Sequence, residues 1–167
     1  MRLAHLAPVI IPLVCIMISI AMYPGFSFWK NALSDLGHAE RETAPIFNFG
    51  LVTGGTLLLL RSRRISLRVT SRSLAVTSYF LILVGTFDEV YGLLHYWVSV
   101  FFFVGLIITA FIASLEMGKR YPALLGLLSA AVWAVHFSGV KWGVAVPETI
   151  SIGLALPWYL ELGNYEL

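Results

Sequence analysis

Six long apolar runs, separated by short polar segments, occupy most of this chain of 167 residues. The runs cover about residues 6–23, 44–60, 73–87, 96–115, 123–140 and 144–160. A helix of about 20 apolar residues crosses the hydrocarbon core of a bilayer, whereas the strands of a membrane barrel are shorter and alternate in polarity. The sequence therefore predicts one all-α domain, an integral membrane bundle of six transmembrane helices.

The composition supports this class. Hydrophobic residues make up 59% of the chain and charged residues 12%, whereas a soluble domain is about 25% charged, so a soluble globular protein is excluded. The net charge of +2 is small and the basic residues lie beside apolar runs, which argues against a nucleic-acid partner. We expect membrane lipids as neighbours, with a second copy of the chain or a larger membrane complex as the protein partner.

The basic residues predict the orientation. If both termini share one side, that side carries eight Lys and Arg residues and the other carries three. The eight are Arg2, Arg61, Arg63, Arg64, Arg68, Arg72, Lys119 and Arg120, and the three are Lys30, Arg41 and Lys141. Cytoplasmic loops are enriched in Lys and Arg, so we expect a cell-membrane protein with both termini in the cytoplasm. The Arg-rich loop 61–72 serves this topology, and it would also attract anionic lipid.

Polar residues concentrate at the predicted outer ends of the spans. Ionisable groups inside a membrane are costly and mark a site, a cavity or a pairing. The outer group consists of Asn31, Ser34, Asp35, His38, Asn48, Asp88, Glu89, His95, His136 and Glu148. This one-sided distribution predicts a polar pocket that opens to the outside.

Structural roles compete with a functional one at several of these positions. Asp35 suits a turn, His38 an exposed loop, and His136 a hydrogen bond between helices. Glu89 is expected at the edge of the pocket, with its charge in solvent. The strongest candidates for a site are Asp88, His95 and Glu148.

Carboxylates and histidines at one level are the groups that a hydrolase needs. One hypothesis is a membrane enzyme that acts on a lipid or another membrane-proximal substrate, with Asp35, Asp88, His95 and Glu148 as its catalytic side chains. A divalent metal such as zinc would be held by His95 and His136 with Asp88, or with His38 in its place, and Glu148 would be the base. A metal-free acid–base site fits the same residues. The substrate would be bound by Asn31, Ser34, Asn48 and His38.

Two other functions fit the pattern. A small transporter or an ion- or ligand-binding membrane protein would use the same carboxylates and histidines as its binding groups. A structural subunit would instead pack an apolar face against a larger membrane complex. Glycines inside the runs, at Gly54, Gly55 and Gly126, are expected at close contacts between helices.

Several motifs carry a family resemblance. The stretch Asn31-Ala-Leu-Ser-Asp-Leu-Gly37 is followed by Pro45-Ile-Phe-Asn-Phe-Gly-Leu51 and by Gly54-Gly55. Together they resemble the uncharacterised archaeal and bacterial membrane proteins of the domain-of-unknown-function family 998 (DUF998), over most of the chain. The resemblance implies a compact multi-helix membrane protein without a known reaction. The family's pattern falls here on Asn31, Ser34, Asp35, Asn48, Asp88 or Glu89, His95, Pro147 and Glu148.

Overall fold

The computed structural model describes residues 3–167, with side chains from His5 onward. Its six helices are α1 (Leu3–Met22), α2 (Ala44–Ser62), α3 (Arg68–Thr86), α4 (Leu93–Met117), α5 (Tyr121–Phe137) and α6 (Ala145–Leu162). Short 3-10 turns cover Ser34–Gly37, Glu89–Tyr91 and Gly163–Tyr165. Residues 3–167 form no β-strand beyond one isolated bridge between Ile65 and Glu166. The prediction of an all-α fold is confirmed.

Four of these helices, α1 to α4, are long and apolar enough to cross a membrane. The fifth, α5, is apolar but has 17 residues, and α6 contains both Glu148 and Glu161. The described chain is therefore a membrane-type helical protein. Six spans and the orientation of the termini remain predictions.

Each helix packs against the next one along the chain, and α4 also contacts α6. The first and last helices meet at the end of the bundle that holds the C-terminus. There the Tyr159 hydroxyl donates to the His5 carbonyl oxygen at 2.9 Å, and the two rings stack with centroids 4.6 Å apart. These contacts close the row of helices into a bundle.

Two of the differences between the helix ends and the predicted spans have a clear physical cause. Helix α3 begins at Arg68 rather than near Ser73, because the Glu116 carboxylate accepts from the backbone N–H groups of Val69 and Thr70, at 3.0 and 2.7 Å. These are first-turn donors that have no partner within the helix. Helix α5 ends at Phe137 rather than at residue 140, because Gly139 adopts a φ of +99°, a backbone conformation that favours glycine and stops a right-handed helix.

Glycines do mark close helix contacts, as the sequence indicated. A Cβ atom on Gly54 would lie 2.7 Å from Pro12 Cγ in α1, and one on Gly55 would lie 2.8 Å from Ile82 Cγ1 in α3. A Cβ on Gly126 would meet Ala110 of α4 at 3.1 Å. The small residues therefore set how closely neighbouring helices approach.

We expect Gly55→Ala to destabilise the bundle by about 1–3 kcal/mol, because the new methyl group overpacks a fixed contact. Besides the Ile82 side chain, it would meet the Ile82 backbone N at 3.0 Å and the Ser78 carbonyl oxygen at 3.1 Å. Gly153→Ala is the matched control, since nothing lies within 4 Å of a Cβ at that position. Thermal unfolding in detergent should show a loss for Gly55→Ala and none for Gly153→Ala. Equal midpoints for the two variants would contradict the close-contact account.

An ion-pair cluster joins the two ends of the chain. His5, which is 1% exposed, donates from Nδ1 to Glu166 Oε1 at 2.8 Å and from Nε2 to the Tyr159 carbonyl oxygen at 3.0 Å. The Arg61 guanidinium donates to both carboxylate oxygens of Glu166. We call His5, Arg61, Tyr159 and Glu166 the terminal cluster. It ties α1, α2, α6 and the C-terminal residues together.

Candidate functional site

A cavity of about 610 Å³ lies between α4 and α5 and reaches the first loop and the start of α6. This volume is in the range of small-molecule sites, about 300–1,000 Å³. We call it the α4–α5 cavity. Its polar side chains include Ser34, Glu89, His95, Ser99, His136 and Glu148. They come from the first loop, the α3–α4 connection, α4, α5 and α6, so only the folded bundle brings them together.

His95 is fixed in one orientation at the polar end. Its Nδ1 lies 2.6 Å from the Phe87 carbonyl oxygen. A carbonyl only accepts, so Nδ1 is the donor, and in the neutral ring Nε2 then keeps its lone pair. The Ser99 hydroxyl lies 3.4 Å from Nε2. His95 is 8% exposed and therefore presents a nearly dry acceptor nitrogen to the cavity.

Glu89 is the carboxylate of the α3–α4 connection that lines the cavity. It accepts from the Ser34 hydroxyl at 2.8 Å. Burial and the neighbouring Asp35 carboxylate raise the pKa of Glu89, while the Ser34 hydrogen bond and the nearby His95 oppose that rise. Burial is the main cause of the raised pKa, and the charge of Asp35 adds to it.

Glu148 stands at the first turn of α6, after Pro147, as the sequence indicated. Its side chain is 6% exposed, and its Oε2 accepts from the Leu33 backbone N–H at 2.7 Å. The helix N-terminus stabilises a carboxylate at this position. Glu148 thus links the first loop to α6 and also lines the cavity.

Three of the predicted site residues hold the first loop in place instead of lining the cavity. Asn31 accepts from the Ser27 N–H at 3.0 Å and donates to Asp35. Asn48 donates to the Gly37 carbonyl oxygen at 2.9 Å. These bonds hold the loop that carries Ala32 and Ser34, which line the cavity, so Asn31, Asp35 and Asn48 position residues that line it.

Two further predicted residues lie outside the cavity. Asp88 Oδ1 accepts from the Val90 N–H at 3.0 Å and caps the 3-10 turn Glu89–Tyr91, so the neighbouring Glu89 is the residue that lines the cavity. His38 accepts from the Glu40 N–H at 3.3 Å at an exposed position. The structure brings together Ser34, His95, His136 and Glu148 from the predicted set, and leaves Asp88 and His38 out.

The metal hypothesis has no support in the geometry. Among the described residues, no group of three His, Cys, Asp or Glu side chains is placed to hold a metal ion. His136 Nδ1 accepts from Trp142 Nε1 at 2.9 Å, so in the neutral ring its Nε2 carries the proton and has no lone pair for a metal. The predicted set of His95, His136 and Asp88 fails because Asp88 caps a turn and His136 is engaged by Trp142.

Apolar side chains form the rest of the cavity. They extend along α4 as far as Ile107 and along α5 from Phe137 to Ala130. From His95 to Ile107 the helix rises about 18 Å, similar to the roughly 15 Å thickness of one hydrocarbon leaflet. Val104 and Phe137 of the lining are 43% and 67% exposed. The cavity therefore opens sideways on the surface of the bundle as well as having a polar end.

A second, narrower cavity of about 130 Å³ lies among α1, α2, α3, α4 and α6. Its walls are almost entirely apolar and reach Leu58, Leu74 and Trp158 near the other end of the bundle. The two cavities share four lining residues, which are Ser34, Ser99, Phe103 and Glu148. Those side chains form the partition between a polar, open space and an apolar, internal one.

Sequence reasoning missed Ser99 and gave Glu89 a rim position. Ser99 follows His95 by four residues, which places both on one face of a helix, so a signal for the pair existed. For Glu89 no local signal existed, because the turn that separates it from Asp88 depends on Asp88 acting as its cap.

Comparison with known proteins gives a family and no function. A family model described as a protein of unknown function (DUF998) matches residues 6–163, nearly the whole chain. Neither a curated protein nor a solved structure matches the chain. The family resemblance drawn from the motifs is confirmed: this chain belongs to the DUF998 family of proteins of unknown function.

Proposed function

We propose that this protein crosses the cell membrane with six helices, keeps both termini in the cytoplasm, and binds one amphipathic molecule of the outer leaflet in the α4–α5 cavity. The observation that carries the proposal is the layout of the cavity. Its polar end contains Glu89, His95 and Glu148, its walls are apolar, and it opens on the side of the bundle. A lipid-like molecule has the same division between a polar head and an apolar chain.

The charge distribution supports the proposed orientation. Arg63, Arg64, Arg68 and Arg72 lie exposed at or beside the α2–α3 connection, at the end of the bundle opposite the cavity's polar end. A basic loop of this kind is retained in the cytoplasm. The polar end of the cavity then faces outward, at the depth of the lipid head groups.

Cysteine labelling tests this topology. In a Cys15→Ser background, we expect Lys141→Cys in the α5–α6 connection to react with a membrane-impermeant maleimide on intact cells. Ser66→Cys in the α2–α3 connection should react only after lysis. Both positions are exposed, so accessibility within the protein does not limit either reaction. Labelling of Ser66→Cys on intact cells would contradict the orientation.

The binding proposal is tested by quenching of Trp133, which lines the cavity. Hexadecylamine and hexadecanol, each brominated near the middle of the chain, are added to phosphatidylcholine vesicles that contain the protein. We expect one saturable quenching component that Trp133→Phe removes. Trp97→Phe is the control, since Trp97 is 47% exposed and does not line the cavity. Quenching that rises linearly and equally in all three proteins would overturn the proposal.

A metal-free hydrolase is a second candidate, favoured by the His95 and Ser99 pair. His95 Nε2 has the acceptor role that a general base requires, and the Ser99 hydroxyl lies 3.4 Å from it. This candidate requires turnover of an ester or amide amphiphile by the wild type and its loss in His95→Gln. Binding with no turnover of such substrates would leave the protein as a binding protein.

Ion transport is less well supported than amphiphile binding. Beyond the partition at Ser99 and Glu148, the internal cavity is walled by apolar side chains such as Leu58, Leu74 and Leu81. A dehydrated ion needs polar or charged ligands along its path. The described interior therefore suits an apolar chain better than an ion.

A further inference from the structure

The polar end of the α4–α5 cavity is rich in acceptors. Two carboxylates, Glu89 and Glu148, line it together with the lone pair of His95 Nε2. No Lys or Arg lines the cavity in the part of the chain that the structure describes. An anionic head group would therefore meet like charges, and like-charge contacts in a site of low polarity are strongly unfavourable.

Glu148 is a buried carboxylate that lines the cavity. It is 94% removed from solvent, since its exposure is 6%, and one of its oxygens accepts from Leu33. Within residues 5–167, the Leu33 N–H is the only protein group that donates to this carboxylate. Its other oxygen, Oε1, keeps some accessible surface, so it is open to a donor on a molecule bound in the cavity.

From this arrangement we infer, on the basis of the proposed function, that the cavity selects amphiphiles whose head group is a positively charged amine. An alkylammonium carries a positive charge and three N–H donors on one nitrogen, which suit a cavity end lined by the acceptor groups of Glu89, Glu148 and His95. Its alkyl chain continues along the apolar wall towards Ile107 and Ala130. A bare metal ion fits less well, because no three ligands are placed for one among the described residues.

The electrostatics of Glu89 agree with this selectivity. Burial raises its pKa, and so does the Asp35 carboxylate behind it, so a nearby positive charge opposes that rise. Amine binding should weaken as the pH falls, because protonated Glu89 loses its negative charge. Glu89 takes up this proton at a higher pH than an ordinary Glu side chain, whose pKa is about 4.3.

The test compares three brominated amphiphiles that share a hexadecyl chain and differ in head group: an amine, an alcohol and a phosphate. The readout is the half-saturating mole fraction of the Trp133 quenching component in vesicles. In the wild type we expect the amine to bind roughly tenfold or more tightly than the other two, as expected when charge-assisted hydrogen bonds replace neutral ones.

Carboxylate variants locate the selectivity. Glu148→Gln and Glu89→Gln should each weaken amine binding roughly tenfold while leaving the alcohol unchanged. Glu89 is half-buried, so the Glu89 variant keeps the test valid even if Glu148→Gln does not fold. Glu42→Gln is the matched control, because Glu42 is an exposed carboxylate of the first loop that does not line the cavity, and this variant should bind the amine as the wild type does.

The outcomes separate the two proposals. Alcohol or phosphate binding as tight as amine binding would overturn the amine inference and leave amphiphile binding intact. The same holds if both carboxylate variants keep the wild-type preference. Absence of the Trp133 component with all three head groups would overturn the proposed function and the amine inference together.

Discussion

Replacing Glu166 by alanine is expected to destabilise the protein by about 3–5 kcal/mol, the usual cost of leaving buried charges without their partner. In the terminal cluster, Glu166 accepts from both His5 and Arg61, and the side chains of Arg61 and Glu166 are each 11% exposed. Removing the carboxylate strands the Arg61 guanidinium and the His5 Nδ1 donor in a buried place. For a chain of this size, a loss of 3 kcal/mol lowers the unfolding midpoint by roughly 6 °C or more.

The lowered pKa of Glu166 gives the pH dependence of the same contact. Burial raises that pKa, but the His5 hydrogen bond and the charge of Arg61 outweigh burial and hold it below the ordinary value. The stabilisation is therefore complete above the pKa of an unfolded Glu, about 4.3, and is lost as the pH falls through the lowered pKa. At neutral pH, the unfolding midpoint of the wild type should lie above that of Glu166→Ala. At acidic pH, the two midpoints should converge.

Lys119→Ala is the control for the charge effect. Lys119 pairs with Glu161, but it is exposed, and ion pairs in solvent contribute little. A detergent unfolding assay should show a large shift for Glu166→Ala and a small one for Lys119→Ala. Similar small shifts for both would contradict the structural role assigned to the terminal cluster.

Filling the apolar part of the α4–α5 cavity is expected to abolish the saturable Trp133 quenching. Val104→Phe combined with Ala130→Phe adds two rings from opposite walls, on α4 and α5. The rings occupy the space that the alkyl chain would take, so we expect binding to weaken by at least roughly tenfold, about 1.4 kcal/mol. Neither substitution adds a fluorophore that competes with Trp133.

The matched control places the same side chains on the outside of the same helices. Ile108→Phe with Leu127→Phe alters residues that are 49% and 57% exposed and do not line the cavity. This variant should bind the amphiphile as the wild type does. If both double variants bind equally well, the quenching site is the general lipid surface and the cavity is not the binding site.

The helical class was predictable because hydrophobic run length is a local property. The runs near 44–60 and 96–115 became α2 and α4, each extended at one or both ends. The start of α3 was not predictable from local sequence, since its first-turn N–H groups are capped by Glu116 on another helix. The local hydrophobic pattern does not predict helix ends that depend on residues distant in the sequence.

The sequence predicted how deep in the bundle the site residues lie, but not what each side chain does there. Counting residues along each run placed His95 and Glu148 at the same end of the bundle, where both line the cavity. Counting could not show that Asp88 would cap a turn and send Glu89 inward. Nor could it show that Asn48 would hold the first loop, because its bond to Gly37 forms only once the loop has folded over α2.

The most direct test of the central claim is photocrosslinking with a hexadecyl amphiphile that carries a diazirine at the middle of its chain, used both as the amine and as the alcohol. After illumination in phosphatidylcholine vesicles, peptide mapping identifies the labelled residues. Binding in the α4–α5 cavity predicts labels concentrated on Val104, Ile107, Ala130 and Trp133. Labels spread evenly over lipid-facing residues such as Ile108 and Leu127, with no excess at the cavity, would contradict it.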